Sequence, residues 1–230
     1  FVGKRYLLEQ DYLLLRSNDS LQAPRLRLGY RMQSDIQENR FSQSQAYSGY
    51  GDLVADLTRA YDHTYYSLRQ FDAYTILTSP TIGWFSGYIR HHKYSYREEE
   101  QVVNPSITED AYAVGGEWRK QFGSLDFRAS AELGVSGDRL GNYVFGEIKQ
   151  PLFSSFSLTA GLRWQQQHPG FVFEQFTSSY DAYQWKHTPE IEQRTAIFAQ
   201  LSHPVFGKLS VTTTNINNYA YYLQPDAASL

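Results

Sequence analysis

The acidic run at residues 98–100 is the first group in this sequence that could do chemistry. With Glu109 and Asp110 at the far end of the same predicted loop, its carboxylates could bind a divalent cation through hard oxygen ligands. A solvated loop explains the same residues more simply. His91 and His92 do not form a ligand pair, because neighbouring residues of a strand point to opposite faces. The sequence therefore predicts no metal and no cofactor.

A hydrolytic site would need a nucleophile, a base and an orienting group within hydrogen-bond reach. Serine and histidine occur along the chain, but it has no G-x-S-x-G motif and no glycine-rich phosphate loop. The absence of cysteine removes thiol nucleophiles, thiolate metal sites and disulfides together. We predict that the protein is not an enzyme.

Charged side chains at every second position are the more informative pattern. In residues 125–135 they alternate with small and apolar side chains, and residues 25–33 and 156–164 repeat the alternation. Such a segment is typical of a strand that separates an apolar medium from a polar one. The set predicted to face a polar lumen is Arg27, Arg31, Glu117, Arg119, Asp126, Arg128, Glu132 and Arg163.

These charges allow two interpretations. In a wide barrel they line water and set a local field for solutes, whereas in a plugged barrel they pair as structural charges. Their mixed signs predict no strong selectivity for anions or cations.

The intervening positions predict a lipid-facing set, and ring side chains near strand ends predict aromatic belts at the two membrane interfaces. The lipid-facing set is Leu26, Leu28, Phe127, Leu133, Leu158 and Leu162, with Ala129, Ala131 and Ala160 beside them. The interface aromatics are Tyr12, Tyr30, Trp84, Tyr88, Trp118 and Trp164.

Seven less regular segments complete the predicted strands. We therefore expect an all-β chain, with at most a short helix at residues 53–61. The seven are residues 5–16, 67–78, 81–94, 111–120, 142–149, 195–202 and 208–222.

The predicted connections alternate between short and long, which is typical of up-and-down outer-membrane barrels with tight periplasmic turns and longer external loops. We expect residues 1–230 to form one domain, an antiparallel transmembrane β-barrel segment of about ten strands within a larger barrel. The short links are residues 17–24, 79–80, 121–124, 150–154 and 203–207; the longer ones are 34–66, 95–110, 136–141 and 165–194.

Composition restricts the class of protein further. The longest apolar run is five residues, at 219–223, which is too short for a transmembrane helix. Aromatic residues make up 16% of the chain, far above what disordered tracts carry. A net charge of −3 argues against a nucleic-acid partner. The mean hydropathy of −0.52 fits a barrel in which only alternate residues meet lipid.

Four segments resemble the putative porin family of Bacteroidota: FVGKRYLLEQDY at residues 1–12, LRLGYR at 26–31, SYDAYQW at 179–185 and INNYAYY at 216–222. The resemblance implies a large integral outer-membrane barrel without catalytic residues. The chain opens without a signal peptide and stops without a terminal aromatic strand, so we expect an internal portion of a longer protein.

The leading hypothesis is a passive diffusion channel for small solutes in the bacterial outer membrane, with its long loops extracellular. The alternative is a structural or interaction barrel in a multi-protein envelope assembly, with a plugged or narrow lumen, and a soluble all-β binding domain is a weaker third. Expected partners are outer-membrane lipid and lipopolysaccharide, with other envelope proteins or surface lipoproteins. Ser20, within an Asp-Ser-Leu triplet, is a candidate for O-glycosylation.

Overall fold

The computed structural model describes residues 2–16, 24–44, 52–53, 60–99, 106–137, 139–153, 155–176, 178–180, 183–186, 188 and 190–220. Twelve strands and one short helix make up the regular structure. They are β1 (Val2–Arg16), β2 (Arg25–Gln43), β3 (Ala60–Ser79), β4 (Gly83–Glu99), β5 (Ser106–Phe122), β6 (Leu125–Ser136), β7 (Tyr143–Pro151), β8 (Ser157–Gln167), α1 (Phe171–Glu174), β9 (Gln175–Phe176), β10 (Trp185–Lys186), β11 (Glu192–His203) and β12 (Gly207–Asn217).

Ten of the strands form one antiparallel sheet in the order β1-β2-β3-β4-β5-β6-β7-β8-β11-β12. Each strand pairs with the next along the chain, apart from the two-residue strands β9 and β10, which pair with each other. The all-β, up-and-down prediction is confirmed. The sheet is open in the described part of the chain, because β1 and β12 pair with only one neighbour each.

All ten predicted strands are present, and the three most regular segments became β2, β6 and β8. Two of the predicted long loops are much shorter than expected. Pairing of β2 with β3 continues to Gln43 and Ala60, and β4 pairs with β5 as far as Arg97 and Ser106. Polar side chains occupy both faces there, so the apolar alternation ends before the backbone pairing does.

The predicted helix at residues 53–61 falls largely outside the described residues. Leu53 forms an isolated bridge with Tyr180, and Ala60 opens β3. The helix that is present, α1, has four residues. Within the described residues, no helix is long and apolar enough to cross a membrane.

Antiparallel pairing sorts the connections onto two rims. Tight turns at residues 80–82, 123–124 and 204–206 lie on one rim, with Gly83, Gly123 and Gly207 in the left-handed backbone region that favours glycine. We call this the turn rim. The connections that follow β2, β4, β6 and β8 lie on the opposite rim, the loop rim.

The core is small and sits near the loop rim. Tyr94, Tyr96 and Ala111 pack there with Phe171, which comes from the segment between β8 and β11. Within the described residues the only other sheet is the two-residue pair β9–β10, which is too small to cover the ten strands. A soluble β-sandwich would bury its core between two sheets, so the described sheet does not have a sandwich arrangement.

Candidate functional site

Cross-strand register divides the main sheet into two chemically different faces, because directly paired residues share a face. One register row runs from Arg27 through Ile76, Ser86, Glu117, Ser130 and Phe145 to Arg163. The eight residues predicted to face a lumen all lie on this side, which we call the charged face.

At the centre of the charged face, acids and bases alternate from strand to strand. Glu9, Arg31, Asp72 and Arg90 lie in one row on β1 to β4, and Glu132 lies beside Arg90. We call these five residues the charged ladder. Cross-strand pairs of opposite charge stabilise a sheet, so the alternation also favours this register.

Asp72 is the most buried member of the ladder, with 2% of its surface exposed. Its carboxylate accepts hydrogen bonds from Arg90 Nε at 2.8 Å and from Gln70 Nε2 at 2.9 Å. Arg90 also donates to Glu132 at 2.5 Å, and the Tyr88 hydroxyl donates to the same carboxylate oxygen at 2.6 Å. The ladder's charges are therefore largely neutralised by one another.

Nearer the turn rim the bases are less completely paired. Arg119 and Arg128 both donate to Oε1 of Glu117, the latter at 2.7 Å. The Arg119 guanidinium lies over the Trp84 ring, 4.6 Å from its centre. Two guanidinium groups thus share one carboxylate beside an aromatic surface.

Two predicted interface aromatics lie on the wrong face. Trp84 shares a register row with Arg119, and Tyr88 pairs with Gly115 beside Glu132, so both belong to the charged face. The prediction used their position near strand ends and ignored parity. On β4 it is Phe85 and Ile89 that alternate outward.

The opposite face, the outer face, carries a broad apolar region that no described residue outside the sheet covers. It carries the whole predicted lipid-facing set, together with Tyr12, Tyr30, Trp118 and Trp164. Ile89, Leu133, Ile197 and Val211 are each more than half exposed. An apolar surface this extensive marks a membrane or protein contact rather than water.

Three rings on the charged face lie flat across glycines of the neighbouring strand. A Cβ on Gly29 would come within 2.5 Å of Tyr74, one on Gly161 within 2.5 Å of Phe198, and one on Gly115 would collide with Tyr88. Glycine therefore lets these rings lie along the wall instead of standing out from it.

Replacing Gly115 with alanine is expected to destabilise the protein by about 1–3 kcal/mol, as overpacking does elsewhere. Tyr88 cannot move aside without losing Glu132 and its stacking on Arg90, 4.6 Å away. Gly146→Ala is the matched control, since a Cβ there meets nothing within 4 Å. Urea unfolding of the two variants in lipid vesicles measures the difference, and equal midpoints would contradict it.

The segment at residues 168–186 folds back over the charged face; we call it the inward segment. Phe171 is 5% exposed and stacks on Tyr96 with ring centres 5.3 Å apart. Tyr66 and Tyr94 pack against the same ring, and the Arg139 guanidinium lies 3.4 Å from its centre. Arg139 also pairs with Glu109 and Glu174, which ties α1 to β5.

A second anchor holds the inward segment to β3. The Asp62 carboxylate accepts hydrogen bonds from Ser178 Oγ at 2.7 Å and from the Ser179 backbone N–H at 2.6 Å. The Tyr180 hydroxyl donates to Gln43 at 2.8 Å. All three contacting residues of the inward segment are buried.

The two anchors place the inward segment across several strands of the charged face. The inward segment leaves β8 and contacts β3, five strands away in the sheet, which is about 24 Å along a flat sheet. Contact across that distance brings the segment over the intervening strands near the loop rim.

Of the acidic residues considered for a cation site, the three with described side chains are dispersed, and the side chains of Glu99 and Glu100 lie outside the described part. Glu98 is buried and accepts a hydrogen bond from Tyr96 at 2.6 Å, while Glu109 pairs with Arg139 and Asp110 with His91. Within the described residues no group of three or more His, Asp or Glu is arranged to hold a metal ion. Ser20, the candidate glycosylation site, lies outside the described residues.

Sequence reasoning missed Asp72, Arg90 and the inward segment. Asp72 and Arg90 sit in segments whose alternation is interrupted, by Ile76 in β3 and by the adjacent histidines in β4. The inward segment had a usable signal, since a loop carrying three phenylalanines, a tyrosine pair and a tryptophan has too many rings to be solvated.

A charged face backed by an exposed apolar face is the two-sided pattern that strands of outer-membrane β-barrels have, and this fold therefore fits a porin-like outer-membrane protein. A model of the family described as Putative porin matches residues 1–228. The chain belongs to this family, which confirms the resemblance; the bacterial phylum stays a prediction. No curated protein and no solved structure matches the chain.

Proposed function

We propose that the ten-stranded sheet forms part of the wall of an outer-membrane β-barrel, and that small solutes diffuse passively along its charged face. The single observation that carries the proposal is the segregation of the two faces. Arg27, Glu117, Arg128 and Arg163 lie on one side, and exposed apolar side chains cover the other.

Strand length supports a membrane-crossing wall. β6 has 12 residues and β8 has 11, and at about 3.3 Å per residue each extends for nearly 40 Å. A tilt of about 40° reduces this to roughly the 30 Å of the hydrocarbon core. The turn rim would then face the periplasm and the loop rim the outside.

A barrel in lipid requires closure, because unpaired backbone groups at a sheet edge are costly in hydrocarbon. The outer edges of β1 and β12 have no strand partner among the described residues. We propose that further strands pair with these two edges and that the complete barrel has more than ten strands.

The inward segment would narrow this channel near its outer mouth. Both anchors are buried, Phe171 among aromatic rings and Asp62 through hydrogen bonds, so we treat the segment as a fixed constriction and not as a mobile lid. The alternative, a structural or interaction barrel of an envelope assembly, requires that such segments leave the lumen plugged or narrow.

Planar-bilayer recordings of the full-length protein test the proposal. Defined single-channel steps, together with swelling of reconstituted liposomes in small sugars, are the expected result, because a water-filled charged path conducts ions and passes neutral solutes. Vesicles prepared with heat-denatured protein provide the control. A folded, membrane-inserted protein that passes neither ions nor sugars would favour the structural alternative.

A further inference from the structure

A cavity of about 880 Å³ lies on the charged face beside the turn rim. We call it the turn-side basin, and its size is within the range of small-molecule sites. Basic side chains from four different strands line it, and Trp84 supplies an aromatic surface. The basic residues that line it are Arg25, Arg27, Arg119, Lys120, Arg128 and Lys149.

Bases outnumber acids in the basin. Asp126 and Glu147 also line it, whereas Asp11 and Glu117 stand behind the arginines that they pair with. By register Lys120 belongs to the outer face, and its ammonium donates to the Thr81 carbonyl. The other five bases still exceed the four acids. Within the described residues Arg25 forms no ion pair.

The arginines keep hydrogen-bond donors available to a ligand. The side chains of Arg27, Arg119 and Arg128 are 49%, 52% and 46% exposed. Glu117 meets Arg119 and Arg128 through a single oxygen, Oε1, so neither guanidinium has its fork filled by a bidentate acid. A guanidinium fork matches the two oxygens of a carboxylate or phosphate.

The remaining lining favours an organic anion over a small inorganic ion. Trp84, Ile76 and Pro80 provide an apolar surface next to the guanidinium groups. An acyl or aromatic body could lie there while its charged end meets Arg119.

Acids at the loop rim do not cancel this field. They are separated from the basin by most of a strand: on β3, Asp62 lies 14 residues before the basin residue Ile76, about 45 Å along an extended strand. Glu98 is likewise 14 residues beyond Trp84 on β4, and charges this far apart in water are screened. The charged ladder between the two ends has its charges paired internally. The basin therefore combines Arg25, which has no ion pair among the described residues, with three half-exposed arginines.

From this arrangement we infer that the turn-side basin binds small organic anions, carboxylates or phosphate monoesters, and makes the channel favour anions over cations. The inference rests on the proposed function. The mixed signs of the charged residues alone predict only weak selectivity between anions and cations. Their positions differ, however, because the excess of bases lies in the basin at the turn rim.

The full-length protein in a planar bilayer with a potassium chloride gradient tests the inference. The reversal potential is expected on the chloride side of zero, and benzoate or phenyl phosphate is expected to reduce the current while neutral benzamide does not. The double variant Arg25→Gln with Arg119→Gln should lose both properties. Arg5→Gln is the matched control, since Arg5 is exposed and pairs with Asp35 away from the basin.

The outcomes separate the two proposals. If the channel conducts but its reversal potential is at zero or on the potassium side, and benzoate has no effect, the anion inference is overturned. The proposed channel function is unaffected by that result. A protein that passes no current contradicts the proposed function instead. In that case equilibrium dialysis of benzoate against the detergent-solubilised protein tests whether the basin binds anions. Benzoate binding that is lost in the double variant supports the anion site, and the absence of binding overturns it.

Discussion

Replacing Phe171 with alanine is expected to raise the single-channel conductance. Phe171 fills the contact between the inward segment and Tyr66, Tyr94 and Tyr96. Truncating a buried phenylalanine to alanine lowers stability by about 3–5 kcal/mol. Here the loss weakens the attachment of the inward segment, whose other anchor is the set of hydrogen bonds to Asp62. Detachment of the segment would widen the path near the loop rim, where larger sugars should then pass in liposome swelling.

Phe206→Ala provides the matched control. Phe206 lies in a turn on the opposite rim, with 81% of its surface exposed, and its removal should leave the conductance unchanged. Circular dichroism and heat-modifiable migration in gels establish that both variants are folded. If folded Phe171→Ala protein has the conductance of the unsubstituted channel, the inward segment does not limit the path.

The sequence predicted the ten-stranded sheet well because period-two alternation depends only on which medium each face meets. Residues 125–135 alternate without interruption, and they became β6 almost residue for residue. Parity along that strand also placed Arg128 and Leu133 on opposite faces. The face to which a side chain belongs depends only on its position within its own strand, so it can be predicted from a single sequence.

Contacts between distant parts of the chain could not be predicted in this way. Ser179 and Asp62 are 117 residues apart, and nothing in the alternation of β3 indicates which loop will reach it. The same limitation applies to the Arg90 and Glu132 contact, which joins β4 to β6 across an intervening strand. Trp84 differs from the prediction for another reason. It lies near a strand end, as an interface aromatic would, but its even position on β4 places it on the charged face.

Removing the Asp72 carboxylate is expected to cost about 3 kcal/mol of unfolding free energy, near the lower end for breaking a buried ion pair. Arg90 would lose the partner that accepts from both Nε and Nη2, and it would keep only Glu132. Urea unfolding of Asp72→Ala in lipid vesicles measures this loss. Asp11→Ala should change stability by less than about 1 kcal/mol, because Asp11 and Arg27 are both well exposed.

A double-mutant cycle distinguishes a specific interaction between Asp72 and Arg90 from nonspecific destabilisation of the sheet. If Asp72 stabilises the protein through Arg90, then Asp72→Ala and Arg90→Ala together should cost less than the sum of the two single changes, by about 0.5–3 kcal/mol. The reason is that the second substitution removes a guanidinium that the first left without its main partner. Strict additivity would show that the two residues act independently, and the charged ladder would then be a set of separate contacts rather than a connected network.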